Sequence, residues 1–178
     1  TAAQNAFPAL AAVGRLVQAA VAAAGPERAL RRHVDDVGVT RVDADHADIM
    51  VAPTFTGLDA VSLALTDSNV SLGAQNLHWE KEGAYTGEIS ADMLVAAGCQ
   101  YVIIGHSERR QYFGESDDGV NRKTRAALES VIIPVVCIGE TESEREAGET
   151  FSVLDKQIRL GLEGVSLRGP RDVVVAYE

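Results

Sequence analysis

The sequence predicts an α/β fold built on a parallel sheet, and three observations carry that prediction. Short, continuously apolar runs recur along the chain. A stretch of helical spacing separates each run from the next. Polar motifs sit directly after the runs, at Gln75-Asn76, His106-Ser107-Glu108, Gly139-Glu140 and Glu178. Strands buried on both faces read as unbroken apolar runs, and their alternation with helices is the pattern of βαβ units. In such a sheet the carboxyl ends of the strands share one face, where functional loops gather.

The elements follow in order. Residues 10–24 are rich in alanine and are predicted to form a helix of good intrinsic propensity, ended by Gly25-Pro26. Residues 27–48 are charged and read as loop with some helix. Ile49-Met50-Val51-Ala52, stopped by Pro53, is a strand; residues 58–65 are helical in spacing, and residues 70–75 are a second strand. A long loop punctuated by glycine spans 76–88. Ser90 caps a helix that Gly98 ends, and Tyr101 to Ile104 is the third strand. Asp117 or Asp118 opens a helix to about Ser130, before a fourth strand over 133–138. Thr141-Glu142-Ser143-Glu144 has capping-box spacing, and Phe151, Leu154, Ile158 and Leu162 then fall on one helical face. Residues 173–177 form a fifth strand.

No composition break marks a linker, so residues 1–178 read as a single domain. Hydrophobic content of 46% and charged content of 24% exclude wholesale disorder. A net charge of -10 argues against a nucleic-acid partner, because phosphate backbones are held by clustered Lys and Arg. No basic amphipathic stretch favours a membrane surface, and no apolar run approaches the ~20 residues of a membrane span. Ala22-Ala23-Ala24-Gly25 imitates a signal-peptide cleavage site, yet a basic n-region is missing and Arg15 and Gln18 interrupt the apolar stretch. Cys99 and Cys137 lie far apart without metal-ligand spacing, and read as two reduced thiols in a cytoplasmic protein.

His106 is the leading candidate for chemistry. Gly105 before it permits close approach to the backbone, and Ser107 after it is suited to cap a short helix. The imidazole then lies beside a positive dipole end, which disfavours imidazolium and leaves a neutral hydrogen-bond donor. Glu178 ends an apolar run and projects from the same face. A neutral donor and a carboxylate base over one cavity suit proton abstraction next to a polarised carbonyl. Glu108 is either a second functional carboxylate or a salt-bridge partner for Arg109 or its neighbours.

Five motifs carry a resemblance. They are Gly-Ala-Gln-Asn at 73–76, Gly-Ala-Tyr-Thr-Gly-Glu-Ile-Ser at 83–90, Ile-Ile-Gly-His-Ser-Glu-Arg-Arg at 103–110, Cys-Ile-Gly-Glu-Thr at 137–141 and Ala-Tyr-Glu at 176–178. In order and spacing the sequence resembles the triosephosphate isomerases from about Ile49 to its end. The resemblance implies an eight-stranded (βα) barrel of ~250 residues. This chain would be a partial barrel, about strands 2 to 6 with a preceding helix. The implied activity is interconversion of glyceraldehyde 3-phosphate and dihydroxyacetone phosphate through an enediolate, in glycolysis and gluconeogenesis. No metal or cofactor is implied. Glu178 resembles the base, His106 the neutral electrophile and Glu108 a supporting carboxylate. The family's habitual homodimer implies an interface through Asn76, Tyr85, Thr86, Gly87, Glu88 and Arg109. Within it, Thr86 would reach the neighbour's site, and Glu88 with Arg109 would form a structural ion pair. Cys137 resembles a buried residue near the base.

The sequence also departs from the family pattern. The Asn-x-Lys motif of the first strand is missing, since the lysines are Lys81, Lys123 and Lys156. The lid and glycine-rich phosphate loops that follow the glutamate are missing too. The chain is therefore expected to be inactive and poorly soluble by itself, and the natural protein to be longer. Two other readings stand beside this one: a truncated homologue that has lost catalysis and acts as an interaction partner, and a different phosphate-handling (βα) barrel enzyme.

Overall fold

A computed structural model of the chain describes residues 16–20 and 48–178. Six strands form one sheet: β1 (Leu16–Ala20), β2 (Asp48–Val51), β3 (Val70–Ala74), β4 (Tyr101–Ile104), β5 (Ile133–Ile138) and β6 (Val174–Tyr177). Their spatial order is their chain order, and every neighbouring pair is parallel. Parallel neighbours that never skip a place curl in one direction, and the sheet is a half-barrel.

The helices are α1 (Leu58–Ala64), α2 (Ala91–Ala96), α3 (Ser107–Phe113), α4 (Asp117–Glu129), α5 (Glu142–Glu146) and α6 (Thr150–Gly161). Their starts are set by local chemistry. The Ser90 hydroxyl accepts from the Met93 N–H, and the Ser116 hydroxyl from the Gly119 N–H. Thr141 and Glu144 form the reciprocal capping box that the spacing predicts.

Alternate strand residues face two separate cores, as a period of two requires. Leu72, Val102, Ile104 and Val136 pack outward beneath Val61, Leu94 and Val120 of the helices. Met50, Tyr101, Ile103, Val135 and Cys137 face the concave side. Burial on both faces explains why β3, β4 and β5 carry no polar alternation in the sequence.

All five strands read from the sequence form, within a residue at their ends. The helix predicted over 10–24 does not: Leu16–Ala20 is a strand. It pairs with β2 through Leu16↔Asp48, Ala19↔Met50 and Ala20↔Val51, with an irregularity between the first two pairs. Helix propensity separates ordinary residues by no more than ~0.7 kcal/mol each, and a free strand edge offers a ladder of backbone hydrogen bonds that outweighs it. The rest of that helix and the loop read over 27–47 lie outside the described residues.

Candidate active site

β4 ends at Ile104, and Gly105 turns the chain with φ +76°. A side chain at Gly105 would meet Val120 Cγ2 at 2.9 Å and the Cys137 carbonyl at 3.2 Å, so both the turn and the packing need glycine. His106 follows as the N-cap of α3. Its Nδ1 accepts from the Glu108 N–H at 3.3 Å. The cap is thus the imidazole, and the Ser107 cap read from the sequence is displaced by one residue. The reason is reach: an N-cap acceptor must meet the N–H two or three residues on, and His106 already stands in extended backbone with a ring nitrogen there.

This bond assigns the tautomer. An Nδ1 that accepts an N–H holds a lone pair, which leaves the proton on Nε2. Nε2 lies 3.1 Å from Glu178 Oε2, and the side chains are 27% and 30% exposed. Glu178 Oε1 accepts from the Ser107 N–H at 2.7 Å. The carboxylate therefore spans two donors, one imidazole N–H and one amide of the first helical turn. The two predicted residues meet, although 71 positions separate Ser107 from Glu178.

Arg110 braces the turn. Its Nε donates to the Gly105 carbonyl at 2.8 Å, and one terminal nitrogen pairs with Asp117 at 2.7 Å. The other reaches toward the Cys137 carbonyl at 3.5 Å. Burial, with the charge of Glu178 adding to it, pushes the Cys137 thiol up to about 12. Burial alone raises Cys99 to about 11. Both cysteines are free and buried.

Comparisons with known proteins place the chain in a family. A family model described as triosephosphate isomerase covers residues 27–178. The chain belongs to the triosephosphate isomerase family. It is 54% identical over 137 residues to a triosephosphate isomerase of Moorella thermoacetica, covering 77% of this chain and 55% of that protein. It is 56% identical over 131 residues to the one of Geobacter metallireducens, covering 74% and 52%. The chain therefore spans about half the length of the curated relatives it matches. The crystal structure of triosephosphate isomerase from Bartonella henselae superposes with a TM-score of 0.76 at 33% identity, over 87% of this chain and 63% of that one. Among the described residues no helix is long and apolar enough to cross a membrane.

The other residues singled out by family resemblance fall in several places. Glu108 is 72% exposed, with Oε2 3.8 Å from His106 Nδ1. Arg109 pairs instead with Glu115 at 2.9 Å, and Arg110 with Asp117. What ties Glu108 to the site is its backbone N–H. Tyr85, Thr86, Gly87 and Glu88 are exposed on the long loop, where Tyr85 packs on His78 with ring centroids 4.6 Å apart. Within this chain Glu88 faces His78 at 3.9 Å, and the Glu88–Arg109 pair does not form among the described residues.

Asn76 is buried, and its Oδ1 accepts from Lys123 Nζ at 2.7 Å. Lys123 also bonds Glu115 at 2.7 Å, so Asn76, Lys123, Glu115 and Arg109 form one covered network. Burial lowers the Lys123 ammonium from its ordinary range, and the Glu115 carboxylate partly restores it. Sequence reasoning missed Lys123 and Glu115. The available signal was a lysine on the helix face of Val120, Thr124 and Ala127, where an apolar residue belongs.

A second cluster lies beside Glu178, around Glu140, which the sequence placed at a strand end without giving it partners. The Glu140 side chain is 1% exposed and binds Arg145 Nε at 2.8 Å, Tyr177 OH at 3.0 Å and Thr150 Oγ1 at 3.2 Å. The Arg145 bond, chiefly, lowers its carboxyl to about 2.

Proposed function

We propose that the protein to which this chain contributes interconverts glyceraldehyde 3-phosphate and dihydroxyacetone phosphate. The observation that carries the reading is the 3.1 Å approach of His106 Nε2 to Glu178 Oε2, with Nδ1 already occupied by the Glu108 N–H. Glu178 is the base. It takes the proton from the carbon next to the substrate carbonyl, the electron pair of that bond forms the C=C of an enediolate, and the carbonyl oxygen becomes negative. His106 Nε2–H then donates to that oxygen. The hydroxyl proton passes from the neighbouring oxygen to this one by way of His106 Nε2. Return of the first proton to the former carbonyl carbon leaves the new carbonyl on the carbon that lost it, with no net change in the molecule's oxidation state.

Substrate binding substitutes the carbonyl oxygen for Glu178 as the acceptor of Nε2–H, and the same contact keeps the pair poised without substrate. Glu108 supports the ring through its backbone N–H. The substrate is a small phosphorylated triose, and the reaction needs no cofactor. The assembled protein is a cytoplasmic homodimer that contacts its partner through Tyr85, Thr86, Gly87 and Glu88 of the long loop, together with Asn76 and Arg109. Residues 1–178 form one incomplete (βα) barrel domain, and this polypeptide alone is inactive. Glu178 follows an edge strand of the described sheet, and a base needs its place to within about 0.5 Å.

The test joins this chain to the flanking segments of the Moorella thermoacetica relative and measures isomerisation together with deuterium uptake from D2O. His106→Gln is expected to cut turnover by about 10² to 10³ while the dimer persists. Unchanged turnover in that variant would remove His106 from the chemistry. Near-enzymatic rates from the 178-residue chain would refute its inactivity.

A further inference from the structure

We propose that Gln157, on α6, is a positioning residue for Glu178 that acts through the Gly139 peptide; this rests on Glu178 being the base. Gly139 follows β5, the strand that pairs with β6. At the end of β5 the Glu178 N–H donates to the Ile138 carbonyl at 3.1 Å. Gly139 lies past the end of β5, and glycine has more conformational freedom than any other residue.

Gln157 removes that freedom. Its Oε1 accepts from the Gly139 N–H at 2.9 Å, and its Nε2 donates to the Gly139 carbonyl at 2.8 Å. One planar amide thus holds both backbone groups of a single residue, as a neighbouring strand would. The held residue is also a seat. A Cβ at Gly139 would stand 2.3 Å from the Glu178 backbone oxygen and 3.7 Å from Glu178 Cγ. Glu178 therefore rests directly on the Gly139 backbone, and a shift of that peptide moves the base. His106 has no such dependence, because Arg110 and the buried β4 locate it separately.

The proposal separates Gln157 from the rest of α6. Gln157→Met keeps length and helix propensity and deletes both bonds. Gln157→Glu keeps the acceptor for the Gly139 N–H and loses the donor while it is ionised. A displacement of the base of about 1 Å is worth on the order of 10²-fold in rate. In the joined protein, Gln157→Met is expected to lower kcat about 10- to 100-fold with KM nearly unchanged, and Gln157→Glu to fall between it and the parent.

A second readout needs no turnover. In the joined protein, the Ser107 amide proton is held by Glu178 Oε1, and its NMR shift reports the strength of that hydrogen bond. Gln157→Met is expected to move this resonance upfield, with the Val102 and Ile104 amides unchanged as a check on the fold. If the methionine variant does not fold, the glutamate variant carries the same measurement. A Ser107 resonance and a kcat both equal to the parent's would overturn the proposal. A shifted resonance with unchanged kcat would uphold the clasp and instead overturn Glu178 as the base.

Discussion

The carboxyl ends of β4 and β6 each deliver one residue to the same site, yet they are held in different ways. Every residue of β4 is buried, and the turn after it is braced by Arg110 against Gly105, Asp117 and Cys137. β6 is half-buried to exposed and has one described neighbour, β5. His106 is located by packing from both sides. Glu178 is located by one rung of ladder, by the Gly139 seat and by His106 and Ser107 themselves. In the roles proposed above, the donor is held by the scaffold, and the base by fewer contacts among the described residues.

That contrast can be broken most severely on the β4 side. Glu115→Leu leaves Lys123 buried with Asn76 as its remaining acceptor, and an uncompensated buried charge costs about 3–5 kcal/mol. Urea unfolding of the joined protein is expected to show a loss of that size, and a loss below about 1 kcal/mol would show the network to be solvated.

A smaller effect is expected on the β6 side, where Glu140 ties Tyr177 to the end of β5. Its folded carboxyl sits at about 2, where an ordinary glutamate carboxyl sits at 4.5. A depressed carboxyl adds stability that is complete above 4.5 and lost as pH falls toward 2. The Tm of the parent should therefore exceed that of Glu140→Gln at neutral pH, and the two curves should converge between pH 4.5 and 2. A constant gap across that range would mean that the charge contributes nothing.

The smallest change sharpens the comparison from outside the site. Val131, in the turn before β5, has φ +61° and is 77% exposed. A β-branched residue is strained there, while glycine brings extra freedom to the unfolded chain. Val131→Gly is expected to gain about 0.5–1 kcal/mol with turnover unchanged. A loss of stability would show that the turn is not strained.

Much of this was legible in the sequence because its cause is local. Buried strands need unbroken apolar runs, and caps need Ser or Thr at fixed offsets, so β2 to β6 and most helix starts could be read directly. His106 and Glu178 were legible as strand-end residues, and the octapeptide around His106 tied them to a family. What escaped reading depends on tertiary contact. Leu16–Ala20 follows the free edge of β2 against its alanine-rich composition. Lys123 meets an acceptor 47 residues away, and Gln157 meets a peptide 18 residues away. A single polar residue on a helix carries no mark of the backbone it will hold. The cap was misplaced by one position because imidazole is a rare capping group, while serine is a common one.

The central claim is that His106 presents Nε2–H to the site with Nδ1 closed by the Glu108 amide. Nitrogen-15 NMR of the histidine side chains in the joined protein tests it most directly. The His106 ring is expected to carry its proton on Nε2, with Nδ1 showing the shift of an unprotonated acceptor. A proton on Nδ1, whether alone or in an imidazolium, would contradict it.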